Sequence, residues 1–191
     1  MEYYDFMRIG KDKTVFTLDN YLWGSRKEDT DVQLTLFKSD GNLCFEFSVR
    51  EKELRRMVWD DQGRVWEDSC MELFISPDRE HYFNFEFSAS GALRIGYGTS
   101  RTDRTPVSDE LIKSVRRKVT IAENTNKVSR YTLAGEIPMK KFGLDVSVLY
   151  MNAYKCGDML KEPHFISLFP IDLPSPDFHQ IRFFGEVDLT D

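Results

Sequence analysis

The chain has 191 residues, of which 41% are hydrophobic and 14% aromatic, so it can bury a sizeable core as one domain. Its net charge of −6 argues against nucleic acid as a partner, because binding to a phosphate backbone depends on Lys and Arg. No apolar run approaches the roughly 20 residues that span a bilayer, and the cysteines Cys44, Cys70 and Cys156 match neither a disulfide framework nor a zinc spacing.

The first half of the chain is dominated by apolar residues that alternate with polar ones. Residues 32–37 and 43–49 follow this period of two and flank the turn formers Asp40, Gly41 and Asn42, which predicts a β-hairpin. Residues 50–68 are rich in charge and are interpreted as a long functional loop, with a helical turn at residues 51–57. Strand patterns resume at residues 70–75, 82–88 and 93–97.

The second half continues in the same way after a polar loop at residues 98–109. Residues 115–122 and 130–137 predict a further strand pair, and residues 139–142 predict one helical turn that Gly143 ends. Two more strands are predicted at residues 147–154 and 181–189. The pattern predicts an all-β fold, an antiparallel β-sandwich of immunoglobulin or jelly-roll type with few short helical turns, as one domain of residues 1–191.

The polar sides of the predicted strands carry hydrogen-bonding groups mixed with aromatic rings. Such a surface suits a sugar, because pyranose rings stack on aromatic rings and their hydroxyls need directional partners. A solvated outer face with cross-strand ion pairs would look the same, and both readings stay open at this point. The residues on this face are Glu46, Ser48, Glu72, Asn84, Glu86, Arg94, Glu136, Tyr150, Asn152 and Tyr154.

One motif carries a family resemblance. Residues 65–77 read VWEDSCMELFISP, which resembles the W-x-D-D-x-V-E-x-F-I-x-P signature of the family 9 carbohydrate-binding modules. Residues 82–91, 152–156, 163–167 and 178–185 resemble later landmarks of that family in the same order, so the resemblance extends from about residue 32 to residue 189. Two places depart from it: Leu168 and Phe169 stand where a second Trp is expected, and Gln180 and Ile181 stand where a proline is expected.

The resemblance implies a non-catalytic β-sandwich that clamps a terminal sugar of an oligosaccharide between two Trp rings, with structural calcium in some members. Matched by position, Trp66 would supply one ring, Glu72 and Arg94 would bind sugar hydroxyls, and Asn152 would contribute an amide. Phe169 is the candidate for the second ring. The candidate ligand-binding residues are Trp66, Glu72, Asn84, Glu86, Arg94, Tyr150, Asn152 and Phe169.

Three alternatives remain beside this hypothesis. The chain could keep the sandwich and lack the sugar site, acting as a structural or protein-interaction domain. It could be a glycosidase with Glu72 and Glu86 as its carboxylate pair, although no glycosidase motif accompanies them. Trp66 could anchor a loop, as is expected for Trp23 and Trp59.

Metal content and compartment are expectations from weaker signals. Asp60, Asp61, Glu67 and Asp68 could supply carboxylates to calcium, although their spacing is not that of an EF-hand loop. The first ten residues contain no secretory apolar run, which predicts a cytoplasmic protein, whereas removal of a leader would place the domain in the periplasm or at the cell surface.

Overall fold

The computed structural model describes residues 6–190 and is built almost entirely of strands. One short helix, α1, spans Asp109–Ser114, and single turns of 3-10 helix lie at Val65–Glu67, Met139–Phe142 and Ile181–Phe183. Within these residues no helix is long and apolar enough to cross a membrane. The strands are β1 (Phe6–Arg8), β2 (Thr14–Leu18), β3 (Asn20–Leu22), β4 (Thr30–Ser39), β5 (Asn42–Glu51), β6 (Cys70–Ser76), β7 (Tyr82–Ser88), β8 (Leu93–Gly98), β9 (Arg104–Pro106), β10 (Arg116–Asn124), β11 (Ser129–Pro138), β12 (Val148–Cys156), β13 (Phe165–Ser167) and β14 (Gly185–Asp188).

The described strands form two sheets, and the predicted β-sandwich is confirmed. The larger sheet has the order β1-β14-β12-β6-β7-β8-β9, with β13 and β3 attached beside β12. The smaller sheet has the order β10-β11-β5-β4-β2. Among the described pairs, only β1 and β14 run parallel, so the expectation of a purely antiparallel sandwich is corrected at this edge.

The core lies between the sheets and consists of the alternate apolar residues predicted for it. Phe45 and Phe47 of β5 face Phe87 of β7 across the interior, with the rings of Phe45 and Phe87 4.9 Å apart. All three side chains are at most 2% exposed. Burying an aromatic side chain of this size stabilises the fold by about 1.5–3 kcal/mol, which explains why the period of two was a reliable signal.

Local predictions succeeded where turn chemistry decides the structure. Asp40 and Gly41 connect β4 to β5 with φ of 50° and 76°, the left-handed backbone of a two-residue hairpin loop. Gly143 ends the turn at Met139–Phe142 with φ of 63°, as expected. The last predicted strand is shorter than expected, since Ile181–Phe183 forms a 3-10 turn before β14.

The helical turn expected at residues 51–57 is wrong, because distant residues capture its backbone. The Asp68 carboxylate accepts hydrogen bonds from the N–H groups of Met57 (2.9 Å) and Val58 (2.9 Å). The Ser69 hydroxyl accepts one from Arg55 N–H at 3.1 Å. These donors are therefore not available for a local helix, and β5 runs on to Glu51 instead.

A group of buried polar residues, the core ion cluster, lies at one end of the interior between the sheets. It consists of Glu51, Tyr131, Lys155 and His164. The Lys155 ammonium lies 2.9 Å from a Glu51 carboxylate oxygen and 3.0 Å from His164 Nε2, and the Tyr131 hydroxyl donates to the other Glu51 oxygen at 2.6 Å. The cluster therefore pairs its opposite charges inside the fold.

Candidate functional site

The outer face of the larger sheet is covered rather than solvated. Side chains of the chain segment between β13 and β14, including Ile171 and Phe178, pack against Phe74, Tyr82 and Tyr154 on this face. Phe178 stacks on Tyr154 with ring centroids 4.1 Å apart and planes 8° from parallel. Every residue of β6 is consequently buried, on both faces of the strand.

A cavity of about 510 Å³ opens where this cover meets β6 and β7. Its lining combines two tryptophan rings with charged groups of both signs. The lining residues are Trp23, Arg64, Trp66, Glu72, Glu86, Arg101, Thr102, Arg104, Cys156, Asp158, Phe165, Pro176, Asp177, Phe178 and His179.

Glu72, Glu86 and Cys156 form the base of this cavity, Cys70 lies beside Cys156 behind them, and these four residues are named here the cavity floor. Glu72 and Glu86 are direct cross-strand partners of β6 and β7, and each is 3% exposed. Burial, reinforced by the neighbouring Glu86 charge, raises the pKa of Glu72 to about 8. Burial also raises the pKa of Glu86, so the floor disfavours two carboxylates that are ionised together.

Polar neighbours fix the orientation of Glu86. Arg104 Nη1 donates to Glu86 Oε1 at 3.2 Å, and Asn84 Nδ2 donates to the same oxygen at 2.5 Å. Asn84 therefore supports Glu86 without lining the cavity itself. The Asn84 Oδ1 atom has no hydrogen-bond partner among the described residues. These two hydrogen bonds from protein side chains hold the Glu86 carboxylate in one orientation in the cavity.

His179 forms a polar part of the cavity wall. Its Nδ1 lies 2.9 Å from the Tyr82 hydroxyl and 3.4 Å from Arg104 Nη1. Burial, together with the nearby Arg104, Arg101 and Arg94 charges, lowers the pKa of His179 to about 2. The ring is therefore neutral at physiological pH, and it can accept or donate a hydrogen bond.

Two tryptophans contribute rings to the cavity. Trp66 lies in the 3-10 turn at Val65–Glu67, and the guanidinium groups of Arg94 and Arg64 lie 5.2 and 5.8 Å from its ring centroid. Arg94 is anchored in turn by a 2.9 Å hydrogen bond to the Gln62 carbonyl. Arg94 therefore supports the Trp66 ring and does not line the cavity itself.

Trp23 is the residue that the sequence reasoning missed as a site residue. Its Nε1–H donates to the Leu173 carbonyl at 2.8 Å, and its ring lies 5.6 Å from both Phe165 and Phe178. Its φ of 50° is a left-handed conformation that few non-glycine residues adopt, and such strain concentrates at functional sites. The sequence gives no signal for this role, because the partners of Trp23 lie more than 140 residues away.

Five of the eight predicted site residues do not line this cavity, and two of these five, Asn152 and Tyr150, have structural partners instead. Asn152 is fully buried, where its Nδ2 donates to the carbonyls of Phe169 and Phe183 and its Oδ1 accepts from the N–H groups of Ala153 and Phe169. Tyr150 carries the Arg79 guanidinium 4.5 Å from its ring centroid.

Phe169, expected to supply the second stacking ring, packs on Gly185 instead. A Cβ at Gly185 would lie 2.1 Å from the Phe169 ring, so the two are in close contact. The structure thus brings Trp66, Glu72 and Glu86 together, places Asn84 and Arg94 behind them, and directs Tyr150, Asn152 and Phe169 elsewhere.

Two of the four acidic loop residues considered as calcium ligands, Asp61 and Asp68, hold the loop through hydrogen bonds. The Asp68 carboxylate accepts from two backbone N–H groups and from the Ser88 hydroxyl at 2.7 Å. Asp61 accepts from Leu93 N–H at 2.9 Å and from Arg117 at 2.5 Å. Calcium takes six to eight free oxygens, whereas these carboxylates are engaged in holding the loop.

Comparison of this chain with known proteins gives three results. The sequence profile of carbohydrate-binding family 9 matches residues 5–189. A proposed carbohydrate-binding protein from Bacteroides uniformis ATCC 8492 is 31% identical over 93% of this chain and 86% of its own, with a TM-score of 0.80. Among curated proteins, none matches significantly.

Two further structures share the fold at low identity. Both are of a family 9 carbohydrate-binding module from Caldicellulosiruptor kristjanssonii. Its complex with cellotriose is 10% identical, covers 96% of this chain and 93% of its own, and has a TM-score of 0.62. Its complex with glucose is 12% identical, covers 97% and 95%, and has a TM-score of 0.66.

Proposed function

Since the chain belongs to carbohydrate-binding family 9, we propose that it binds a terminal sugar of an oligosaccharide in the cavity above Glu72 and Glu86, without cleaving it. The observation that carries this proposal is the combination of the Trp66 and Trp23 rings with buried, oriented carboxyl groups in one opening of about 510 Å³. Ligand sites of this size typically pair apolar walls with a few fixed polar groups.

Each part of the cavity has a role in this proposal. A pyranose ring packs its apolar face against Trp66, which its arginine neighbours hold in place. Glu86 accepts a hydrogen bond from a sugar hydroxyl, and Glu72, protonated near neutral pH, donates one. Trp23 takes the place proposed for the second ring, instead of Phe169.

The first test is calorimetric titration with glucose and cellotriose, which the family 9 module of Caldicellulosiruptor kristjanssonii holds in its structures. Wild type should bind one of a panel of mono- and oligosaccharides, and Trp66→Ala should weaken binding about fivefold or more, since stacking on an aromatic ring contributes on the order of 1 kcal/mol or more.

Trp59→Ala is the matched control, because Trp59 lies in the loop after β5, is 65% exposed and does not line the cavity. Its affinity should equal that of wild type. Equal affinities of Trp66→Ala and wild type, with folded protein in both, would contradict the proposed site. Release of free sugar from an oligosaccharide during the titration would contradict the non-catalytic part.

The second candidate function is a sandwich that contacts protein instead of sugar. The observation in its favour is that Phe169 replaces the expected second Trp and packs into the fold. Failure of every sugar in the panel to bind folded wild type would favour it.

A further inference from the structure

Three side chains of the cavity floor lie close together, and two of them, Cys70 and Cys156, have no role in the proposed sugar binding. Cys70 of β6 and Cys156 of β12 are direct cross-strand partners. Glu72 follows Cys70 by two residues on the same strand, so its side chain points to the same face of the sheet. All three side chains are at most 3% exposed.

The ligand atoms of these three residues converge. Cys156 Sγ lies 3.1 Å from Glu72 Oε1, and Cys70 Sγ lies 3.8 Å from the same oxygen. The two sulfur atoms and the oxygen all lie within 4.8 Å of one another. Among the described residues, this is the one place where three such groups are gathered.

These separations suit a tetrahedral metal ion. With zinc–sulfur bonds of about 2.3 Å and zinc–oxygen bonds of about 2.0 Å, tetrahedral angles place sulfur and oxygen ligands roughly 3.5 Å apart. The observed 3.1 and 3.8 Å lie on either side of that value. Small side-chain rotations would therefore complete three of four coordination positions, without movement of the strands.

The charge environment also favours a cation. Glu72 lies opposite Glu86, and Arg104 pairs with Glu86 rather than with Glu72. In residues 6–190, no lysine or arginine forms an ion pair with Glu72. A divalent cation would supply the positive charge that the ionised form of Glu72 lacks, so metal binding would displace the proton through which Glu72 donates in the metal-free protein.

We propose that Cys70, Cys156 and Glu72 form a binding site for a thiophilic divalent cation of the zinc type. Glu72 and Cys156 line the cavity, so the fourth coordination position faces the opening and takes an oxygen ligand from it. Two thiolates and one carboxylate select zinc or cobalt over calcium and magnesium, which prefer oxygen ligands alone.

The test is titration of reduced, metal-free full-length protein with Co²⁺ and then Zn²⁺, without sugar. We expect one cobalt per chain, with the visible bands of a tetrahedral site and a thiolate charge-transfer band, and displacement by zinc. Cys70→Ser, Cys156→Ser and Glu72→Gln should each weaken binding by more than about tenfold, since each removes a ligand.

Cys44→Ser is the matched control, because Cys44 is the third cysteine, is also buried, and lies on β5 of the other sheet. It should retain the wild-type affinity and spectrum. Absence of thiolate bands in reduced wild type would overturn the proposal. So would cobalt binding that survives loss of both Cys70 and Cys156, or that disappears in Cys44→Ser.

Two further results keep the test decisive. If a cysteine variant does not fold by circular dichroism, the wild-type and Cys44→Ser spectra alone decide, because they report whether two thiolates other than Cys44 bind. A disulfide between Cys70 and Cys156 that forms in air, with no metal binding after reduction, would overturn the proposal in favour of redox chemistry. Trp66→Ala should keep the cobalt spectrum, so failure of sugar binding and failure of the metal site are distinguishable.

Discussion

Two polar clusters lie on opposite faces of the same strand and use their charges differently. Lys155 of β12 points between the sheets into the core ion cluster, and its neighbour Cys156 points outward to the cavity floor. In the core ion cluster, Glu51 has a cation at 2.9 Å and a hydroxyl donor at 2.6 Å. In the cavity floor, acidic groups outnumber their basic partners, and Glu72 has none.

Under the proposed function, the core ion cluster serves stability and the cavity floor serves binding. Charged groups that are paired inside the fold have few hydrogen-bonding positions left for a ligand. Removing one partner leaves the other as an uncompensated buried charge, which destabilises the fold. A buried acidic group that has no partner cation and borders a cavity keeps an uncompensated desolvation cost until a ligand binds it. Mutations in the two clusters should therefore have opposite consequences.

The largest effect is expected from breaking the core ion cluster. Lys155→Met leaves the Glu51 carboxylate buried without a cation, which should lower the free energy of unfolding by about 3–5 kcal/mol. Urea unfolding followed by circular dichroism measures it. The double variant Glu51→Gln, Lys155→Met should recover part of the loss, because it leaves no charge unpaired.

Arg130→Ala is the control for that experiment, since Arg130 pairs with Glu123 at the surface with 53% of its side chain exposed. Its effect should stay below about 1 kcal/mol. A loss for Lys155→Met as small as that for Arg130→Ala would contradict the assignment of a structural role to the core ion cluster.

The next effect is on binding rather than on stability. Glu86→Gln keeps the shape of a fixed cavity group but removes its charge, which should weaken sugar binding about tenfold, as hydrogen bonds to charged groups contribute roughly 1.5–3 kcal/mol. The free energy of unfolding should fall by less than in Lys155→Met, because Arg104 is partly exposed and can be hydrated when its partner is neutral. Calorimetry and urea unfolding on one preparation give both values.

Glu136→Gln, on β11 of the smaller sheet, serves as the control for this variant and should leave the affinity unchanged. If Glu86→Gln instead costs as much stability as Lys155→Met, the cavity floor and the core ion cluster do not differ in the way described.

The smallest effect is the pH dependence that His164 gives to the core ion cluster. Burial and the Lys155 charge lower the pKa of His164 to about 2, against a usual value of about 6.5 in an unfolded chain, while Glu51 and Asp29 also face the ring. Between these values the unfolded chain binds a proton that the folded protein does not. Stability is therefore complete above pH 6.5 and decreases as the pH falls below it.

The expected slope is about 1.4 kcal/mol per pH unit for this histidine. Urea unfolding at pH 7, 6 and 5 should show a steeper loss in wild type than in His164→Gln, by about 1 kcal/mol between pH 6 and 5. Parallel curves for the two proteins would show that His164 is already protonated in the folded state, contrary to its burial.

The sequence by itself determined the sandwich and part of its site. Alternation along β5 and β7 assigned Phe45, Phe47, Phe85 and Phe87 to the core, because a strand side that is buried must be apolar. The motif around Trp66 predicted that ring and Glu72 as site residues, the polar side of the next strand added Glu86, and the structure places all three in one cavity. The core assignment and these three site residues depend only on residues that are close in sequence or on adjacent strands.

Only the tertiary structure decided the rest of the site. Trp23 reaches the cavity through a turn and a hydrogen bond to Leu173, and Phe169 and Asn152 are drawn into backbone and ring contacts of the covering segment. Cys70 and Cys156 become neighbours only when β6 pairs with β12. Contacts between residues so far apart depend on which strands pair and on how segments fold over a sheet. The periodicity of the sequence does not specify either of these.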